Sequence, residues 1–268
     1  MRATLIVPTL NEAESIGHVL RSFRTAMAEA NPVLFPRDPF DWEILVVDGA
    51  STDGTAAIAE AEGARVLVER RRGYGRAYLT GFEAATGEII ATADGDATYP
   101  VAAIAPLVRR LLDDRLDFIS GDRLSALDDR AMTTEHRVGN WVLNTFLRIA
   151  YSYYLQNVTG QMIRDSQSGM WIFRRSILPI LKLTQAGMPL SEEIKIEAIL
   201  NGFRFAEVPI RYAERWGAPK LSSWRDGRQN LLFLFRKRLE IARRNAEHAF
   251  PIAPRAAAEA AHDPGRSV

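Results

Sequence analysis

Short apolar runs alternate with helical patterns through the first hundred residues. Ala3-Thr-Leu-Ile-Val7 predicts a strand, and Asn11-Glu-Ala-Glu14 predicts an N-cap with an acidic residue at the third helical position. Ile16, Val19, Leu20, Phe23 and Met27 then recur at helical spacing, so one face of that helix is buried. Strands are predicted at Glu43–Val47, Ala64–Val68 and Glu88–Ala93, with helices near Asp53–Gly63 and Gly75–Ala85 between them. Asn31 to Asp41 carries three prolines and reads as a surface loop. A helix over Val101–Asp113 and a strand over Leu116–Ser120 continue the alternation.

After a less regular stretch from Asp122 to Glu135, an aromatic helix is expected from Val138 to Tyr154. A strand holding Trp171 and Phe173, helices near Arg175–Leu183 and Ser191–Asn201, and a strand at Phe205–Ile210 follow. Repeated strand–helix units of this kind imply parallel strands joined by right-handed crossovers. The expected fold class is therefore α/β, a mostly parallel sheet flanked by helices. Ligands of such sheets sit beyond the carboxyl ends of the strands, where Asp48 and Asp94/Asp96 both fall.

Two carboxylates one residue apart, at Asp94-Gly-Asp96, form a hard-oxygen pair suited to Mg²⁺ or Mn²⁺. The same tripeptide is also ordinary turn chemistry. In Asp48-Gly-Ala-Ser-Thr-Asp53, Asp48 either meets a base or ribose, a reading favoured only in combination with the second acidic loop, or is turn chemistry, and Asp53 reads as a helix cap. Arg70-Arg-Arg-Gly-Tyr-Gly-Arg76 lacks a third glycine and follows the third strand, so it is not a dinucleotide fingerprint. It reads instead as a basic loop at a helix N-terminus, suited to a diphosphate, or equally as a solvated basic turn. Glu192 and Glu193 begin a short helix, one expected to face solvent and the other able to face the cleft; either is a general base or a charge that satisfies the helix dipole, and for Glu192 the dipole role is the better reading. The arginines of the second half, Arg123, Arg137, Arg211 and Arg215, with Lys220, have the chemistry for phosphate, but the sequence does not say whether they converge.

From Arg225 to Arg244 seven basic residues stand against Asp226 and Glu240, around Leu231-Leu-Phe-Leu-Phe235. A basic amphipathic helix over residues 226–246 follows, lying on a membrane surface, packing on the domain, or doing one with each face. Residues 247–268, rich in Ala, Pro and Gly, read as a disordered tail. Composition changes little. With 268 residues, a net charge of +1 and no cysteine, the chain offers no thiol chemistry and no global attraction to nucleic acid. The four histidines, His18, His136, His248 and His262, show no metal-ligand spacing. No apolar run reaches the length of a membrane span, and the start does not read as a signal peptide, so a cytoplasmic location is expected.

The order of motifs resembles the family 2 glycosyltransferases of GT-A fold. It is carried by Val7-Pro-Thr-Leu-Asn-Glu12, Val46-Val-Asp-Gly-Ala-Ser-Thr-Asp-Gly-Thr55, Gly73-Tyr-Gly-Arg-Ala77, Asp94-Gly-Asp96 and Asp165-Ser-Gln-Ser-Gly169. Gly121-Asp-Arg123, Arg137-Val-Gly-Asn140 and the segment Val208 to Leu221 are most similar to the dolichol-phosphate mannose synthase, or polyprenyl-phosphate glycosyltransferase, branch. The resemblance spans about residues 3–235 and implies a GT-A domain over 1–225. It implies metal-dependent, inverting transfer of a sugar from GDP-mannose or UDP-glucose to a polyprenyl or dolichyl phosphate. By the same resemblance Pro8, Asn11, Glu12, Asp48, Arg76 and Asp94 hold the donor, and Asp94 and Asp96 the metal. Arg123, Arg137, Asn140, Arg215 and Lys220 grip the acceptor phosphate, and Asp96, Arg123 and Arg137 are the catalytic set. The enzyme is expected on the cytoplasmic face of the membrane as a peripheral protein, with or without a membrane subunit.

This sequence departs from the family at Thr98, where Gln or His is usual, and at Gly217-Ala-Pro-Lys-Leu221, where the family has Gly-x-Ser-Lys-Leu. Two other readings stay open. One is a soluble enzyme of the same fold acting on a hydroxyl with Glu193 as base, and the other a silent partner that binds nucleotide sugar or lipid.

Overall fold

The computed structural model describes residues 1–125, 134–152, 162–217 and 223–247. In chain order the elements are β1 (Arg2–Thr9), α1 (Ile16–Leu34), β2 (Asp41–Asp48), α2 (Thr55–Ala61), β3 (Arg65–Val68), α3 (Tyr74–Ala84) and β4 (Ile89–Thr92). They continue with α4 (Ile104–Asp113), β5 (Phe118–Asp122), α5 (Thr134–Ser152), β6 (Trp171–Arg174), α6 (Leu190–Leu200), β7 (Phe205–Pro209) and α7 (Ser223–Glu247). The strands form one sheet in the order β3-β2-β1-β4-β6-β5-β7. All neighbours are parallel except β6, which runs antiparallel to both β4 and β5.

Successive residues of a strand face opposite sides, so a sheet covered on both faces needs apolar residues without alternation. β1 meets that demand: Leu5 and Val7 pack with α1 and α4 on one side, while Ile6 packs with α3 and α6 on the other. The result is a three-layer α/β sandwich, as the strand–helix alternation predicts. α5 and α7 pack against each other beside the second layer, through Leu143, Leu147, Tyr151, Phe233 and Leu234. The Tyr151 hydroxyl donates to the Leu234 carbonyl at 2.7 Å.

Four local expectations need correction. The segment Arg175–Leu183 is not a helix; only a single 3₁₀ turn, Arg175–Ile177, forms before the chain runs on in turns. Pro179 explains this, since it lacks the N–H a growing helix requires. Helix α1 runs through Asn31 and Pro32 to Leu34, so the proline-rich loop is shorter than its composition suggests. Asn11 is no N-cap: α1 starts four residues later, after Ser15, and Asn11 adopts a left-handed φ of 53°. Finally, neither Glu192 nor Glu193 faces solvent, both being buried on α6. The tail at 248–268, most of the stretch before α5, and Tyr153 and Tyr154 lie outside the described residues.

Candidate active site

The candidate site lies where β1, β2 and β4 end. Strand order turns there, because the chain crosses from β3 on one flank to β4 on the other. Register sets Thr9 directly beside Asp48, and the Thr9 hydroxyl donates to Asp48 Oδ1 at 3.0 Å. Asp48 also accepts the Ser51 hydroxyl at 2.5 Å and the Ser51 N–H at 2.8 Å. It is 1% exposed, so its first task is to shape the loop after β2. That loop is clamped to the loop after β1. The Asn11 N–H donates to Ser51 Oγ at 2.8 Å, and Asn11 Oδ1 accepts the Thr52 N–H at 2.9 Å. Asp53 accepts N–H groups from Thr55 and from Ala13, each at 3.0 Å, capping the approach to α2 as expected while tying it to the first loop. Pro8 and Glu12 complete this wall, with Glu12 buried against Ser15.

Beyond β4, Asp94 meets two phenols. Tyr78 and Tyr74 donate to its Oδ1 at 3.1 and 3.3 Å. These tyrosines stand one helical turn apart on α3, a spacing that puts both on one helix face. The sequence reading passed over them, although their i,i+4 placement after Gly73 was visible. Gly73 itself, at φ +140°, lets the start of α3 pass against the backbone of Ala186, whose carbonyl accepts the Arg76 N–H at 2.9 Å. Arg76 thereby stands in the first turn of α3, half-buried.

Asp96 is held more firmly. Its Oδ1 accepts the Thr98 hydroxyl at 2.6 Å and the Thr98 N–H at 3.1 Å, and its Oδ2 faces Arg215 at 2.7 Å. Thr98, which departs from the family pattern, therefore orients the carboxylate beside it. Burial and then the charge of Asp96 push the Asp94 carboxyl up to about 7. Two hard-oxygen groups with a surplus of negative charge fit a divalent cation. Among the described residues no third His, Cys, Asp or Glu joins them. The remaining ligands must come from water and substrate oxygens, as in sites that hold Mg²⁺ on one or two carboxylates.

The raised Asp94 has a measurable consequence. Between its unfolded value near about 4 and about 7 the folded chain binds more protons than the unfolded one, so this carboxyl lowers stability as pH rises. Asp94→Asn keeps an acceptor for the phenols and removes the effect. Without divalent ions the variant is expected to melt above the parent at about pH 8 and level with it near about pH 4. Thermal melts across that range check it; a gap that widens toward acid would contradict the assignment.

Arg123 follows β5, is 7% exposed, and its charge reaches Asp94. Its Nε and Nη2 each donate to Asp165 at 2.8 Å, and its backbone N–H adds a third bond at 3.0 Å. The guanidinium also lies over the Tyr212 ring, 5.3 Å from the centroid. One edge of the Arg123 fork is thus fixed by Asp165, and the other guanidinium N–H groups remain to meet a ligand. Lys195, which the sequence reading did not single out, is fully buried and holds the Asp165 and Ser166 carbonyls at 2.5 and 3.1 Å. Burial brings its amine down to about 8.

Arg137 and Asn140 lie on the first turns of α5, Arg137 exposed and Asn140 half-buried, and Arg211 is exposed after β7. Lys220 lies outside the described residues. Glu193 is not placed as a base. It is 1% exposed, and its oxygens accept the Thr184 and Gln185 N–H groups at 2.8 and 2.9 Å and the Thr184 hydroxyl at 2.8 Å. Its role is to fasten the loop that supports α3. Glu192 receives the Gln167 amide at 2.6 Å, and burial pushes its carboxyl well above the usual carboxylate range.

Residues 4–180 match the family model described as glycosyl transferase family 2. The chain belongs to glycosyl transferase family 2. A dolichyl-phosphate hexose transferase of Haloferax volcanii is 32% identical over 83% of this chain and 88% of its own length. The low-salt glycan biosynthesis hexosyltransferase Agl6 of the same organism is 30% identical over 86% of this chain; the match spans about half, 52%, of that relative. Among solved structures, the glucosyl-3-phosphoglycerate synthase of Mycobacterium tuberculosis, in complex with Mn²⁺, UDP-glucose and phosphoglyceric acid, superposes with a TM-score of 0.67. That likeness covers 88% of this chain and 79% of the other at 22% identity, and it shows the GT-A fold. In this family 2 glycosyltransferase, then, the expected fold stands, and Asp94 and Asp96 follow the end of β4.

Proposed function

We propose that this glycosyltransferase moves a hexose from a nucleoside diphosphate sugar to a polyprenyl phosphate, inverting the anomeric carbon by direct displacement. The observation that carries the reading is a buried, Asp165-oriented Arg123 whose charge reaches Asp94, next to the Asp94/Asp96 pair. Kinship with a dolichyl-phosphate hexose transferase supports the acceptor class. A divalent ion on Asp94 and Asp96, when bound, would stabilise charge on the departing diphosphate.

The chain's own residues supply the rest. The clamped loops after β1 and β2, with Asn11, Glu12 and Asp48, shape the nucleoside end. Arg76 and the start of α3 meet the diphosphate. Arg123 presents its free N–H groups to the acceptor phosphate, assisted by Arg137 and Asn140. A phosphate monoester loses its second proton near about pH 6, so this nucleophile is already anionic at neutral pH and needs orientation more than deprotonation. The engagement of Glu193 with its own loop agrees with a reaction that requires no carboxylate base.

The test is transfer by the purified chain with Mg²⁺ or Mn²⁺, offering GDP-mannose and UDP-glucose against a short polyprenyl phosphate or the matching alcohol. Product with the phosphate alone is expected. Transfer to the alcohol or to 3-phosphoglycerate instead would replace the acceptor assignment, and no turnover with any pair would favour a silent binding partner.

We also assign the outer faces of α5 and α7 to an anionic lipid surface. No helix among the described residues is long and apolar enough to cross a membrane. On α7, Phe233, Leu234, Lys237 and Ile241 are buried, whereas Leu231, Leu232, Phe235 and Leu239 are exposed beside Arg228, Arg236 and Arg243. On α5, Trp141 is 67% and Ile149 75% exposed. Apolar anchors among cations are what an in-plane helix needs. Trp141→Ser with Phe235→Ser is expected to weaken binding to vesicles containing phosphatidylserine about tenfold, by removing buried aromatic area. Added salt should weaken the parent's binding as well. Equal sedimentation of both proteins with vesicles would refute the surface.

A further inference from the structure

The chain after β7 crosses directly over the Asp96 turn. The Ala213 N–H donates to the Thr98 carbonyl at 2.9 Å, and the Trp216 N–H to the Asp96 carbonyl at 3.0 Å. The Trp216 ring stacks on His18 of α1 with centroids 4.7 Å apart and planes 22° apart. Between these anchors Arg215 reaches Asp96 Oδ2 at 2.7 Å and lies 3.8 Å from Glu12 Oε1. Its Nε is buried without a hydrogen-bond partner. The contact joins residues 119 apart in sequence, so it is made by tertiary placement alone.

This pairing falls on one particular oxygen. Asp96 Oδ1 is already engaged twice by Thr98, which leaves Oδ2 as the oxygen best placed for a cation, and Arg215 holds it. A guanidinium and a divalent ion at one carboxylate oxygen repel each other strongly where water is partly excluded. The unpaired Nε adds to the case, since a fully committed structural arginine would satisfy it.

We infer that Arg215 is the resident counter-cation of Asp96, displaced when a divalent ion binds and thereby released toward the acceptor phosphate. The inference rests on the metal reading of Asp94 and Asp96. It adds an order: the ion first, acceptor phosphate second. Arg215 thus positions the acceptor only after Asp96 has been neutralised from another source. Before that, the site has a cation in place without the ion and does not carry the full negative charge of Glu12, Asp94 and Asp96.

Mn²⁺ binding to the full chain, followed by the electron paramagnetic resonance of the free ion without nucleotide, reads this directly. Arg215→Gln is expected to bind Mn²⁺ about tenfold more tightly than the parent, the scale on which removing one adjacent charge moves such an equilibrium. Arg215→Lys, which keeps the charge, should stay near the parent. Unchanged or weaker affinity in Arg215→Gln, with binding abolished by Asp96→Asn, would overturn the counter-cation role while leaving the metal reading intact. No Mn²⁺ bound by parent or variant, even with UDP or GDP, would remove both.

A second readout tests the release. Binding of a short prenyl phosphate to the parent, by calorimetry, should strengthen about tenfold on adding Mg²⁺. In Asp96→Asn, where the Asp96 charge no longer holds Arg215 and only Glu12 at 3.8 Å still faces it, it should already be stronger than in the parent without Mg²⁺ and indifferent to the ion. Weak binding by Asp96→Asn would overturn the release.

Discussion

Asp96→Asn is expected to lower sugar transfer on the order of a thousandfold while leaving the fold intact. The substitution preserves shape. Asparagine still accepts the Thr98 hydroxyl and N–H that fix Oδ1, and the residue stays in its pocket, 5% exposed in the parent. What disappears is the charge at Oδ2, the oxygen that now faces Arg215. In the proposed reaction a leaving diphosphate gathers negative charge as the glycosidic bond breaks, and a cation held by Asp96 would act most strongly in the transition state. Removing it should therefore reduce kcat far more than it raises the KM for donor. The comparison to make is kcat at saturating donor for parent and variant, with matched thermal melts. Retention of more than about a tenth of parental kcat would place the departing diphosphate elsewhere, because a single lost stabilising group already costs more than that.

The parts of this site that could be read from the sequence share one property: they are local. Strand ends at Asp48 and near Asp94 follow from where apolar runs stop, and open α/β sheets bind ligands there regardless of detail. The antiparallel β6, inserted between β4 and β5, leaves no such trace, since Trp171 to Arg174 shows the same apolar pattern in either direction. Asn11 shows how one residue supports two readings. Asparagine caps helices, and it also tolerates left-handed backbone, and here the second use prevails because Ser51 and Thr52 supply its partners. Tyr74 and Tyr78 could have been found by spacing alone.

The arginines could not. Arg123 meets Asp165 across 42 residues and Arg215 meets Asp96 across 119, distances over which periodicity carries no information. Their residue types suited phosphate, but only the fold shows that each is first engaged by a carboxylate. Glu193 fails as a base for the same reason: the loop that occupies its oxygens returns to it through tertiary structure.

Asp165→Leu is expected to destabilise the protein by about 3–5 kcal/mol, because it leaves the Arg123 guanidinium buried and unpaired. Asp165 is fully buried, and it receives three bonds from Arg123 while Lys195 grips the adjoining carbonyls. Burial alone would raise its carboxyl. The charges of Arg123 and Lys195 outweigh burial and hold it below the ordinary value. A carboxyl depressed in the folded state stabilises above its unfolded value near about 4, and the benefit fades as pH falls through the folded value. The gap between parent and variant in urea midpoints should accordingly be full at about pH 7 and narrow below about pH 4. A constant gap would assign the loss to packing instead. Adding Arg123→Met to Asp165→Leu separates stability from function. Replacing both partners of a buried pair by apolar residues is often neutral or better for stability, so the double variant should regain most of the lost midpoint. Transfer should stay lost, since the buried guanidinium proposed to orient the acceptor phosphate is then gone. Recovery of both would reduce Arg123 to a structural residue and shift the acceptor contact to Arg137 and Asn140.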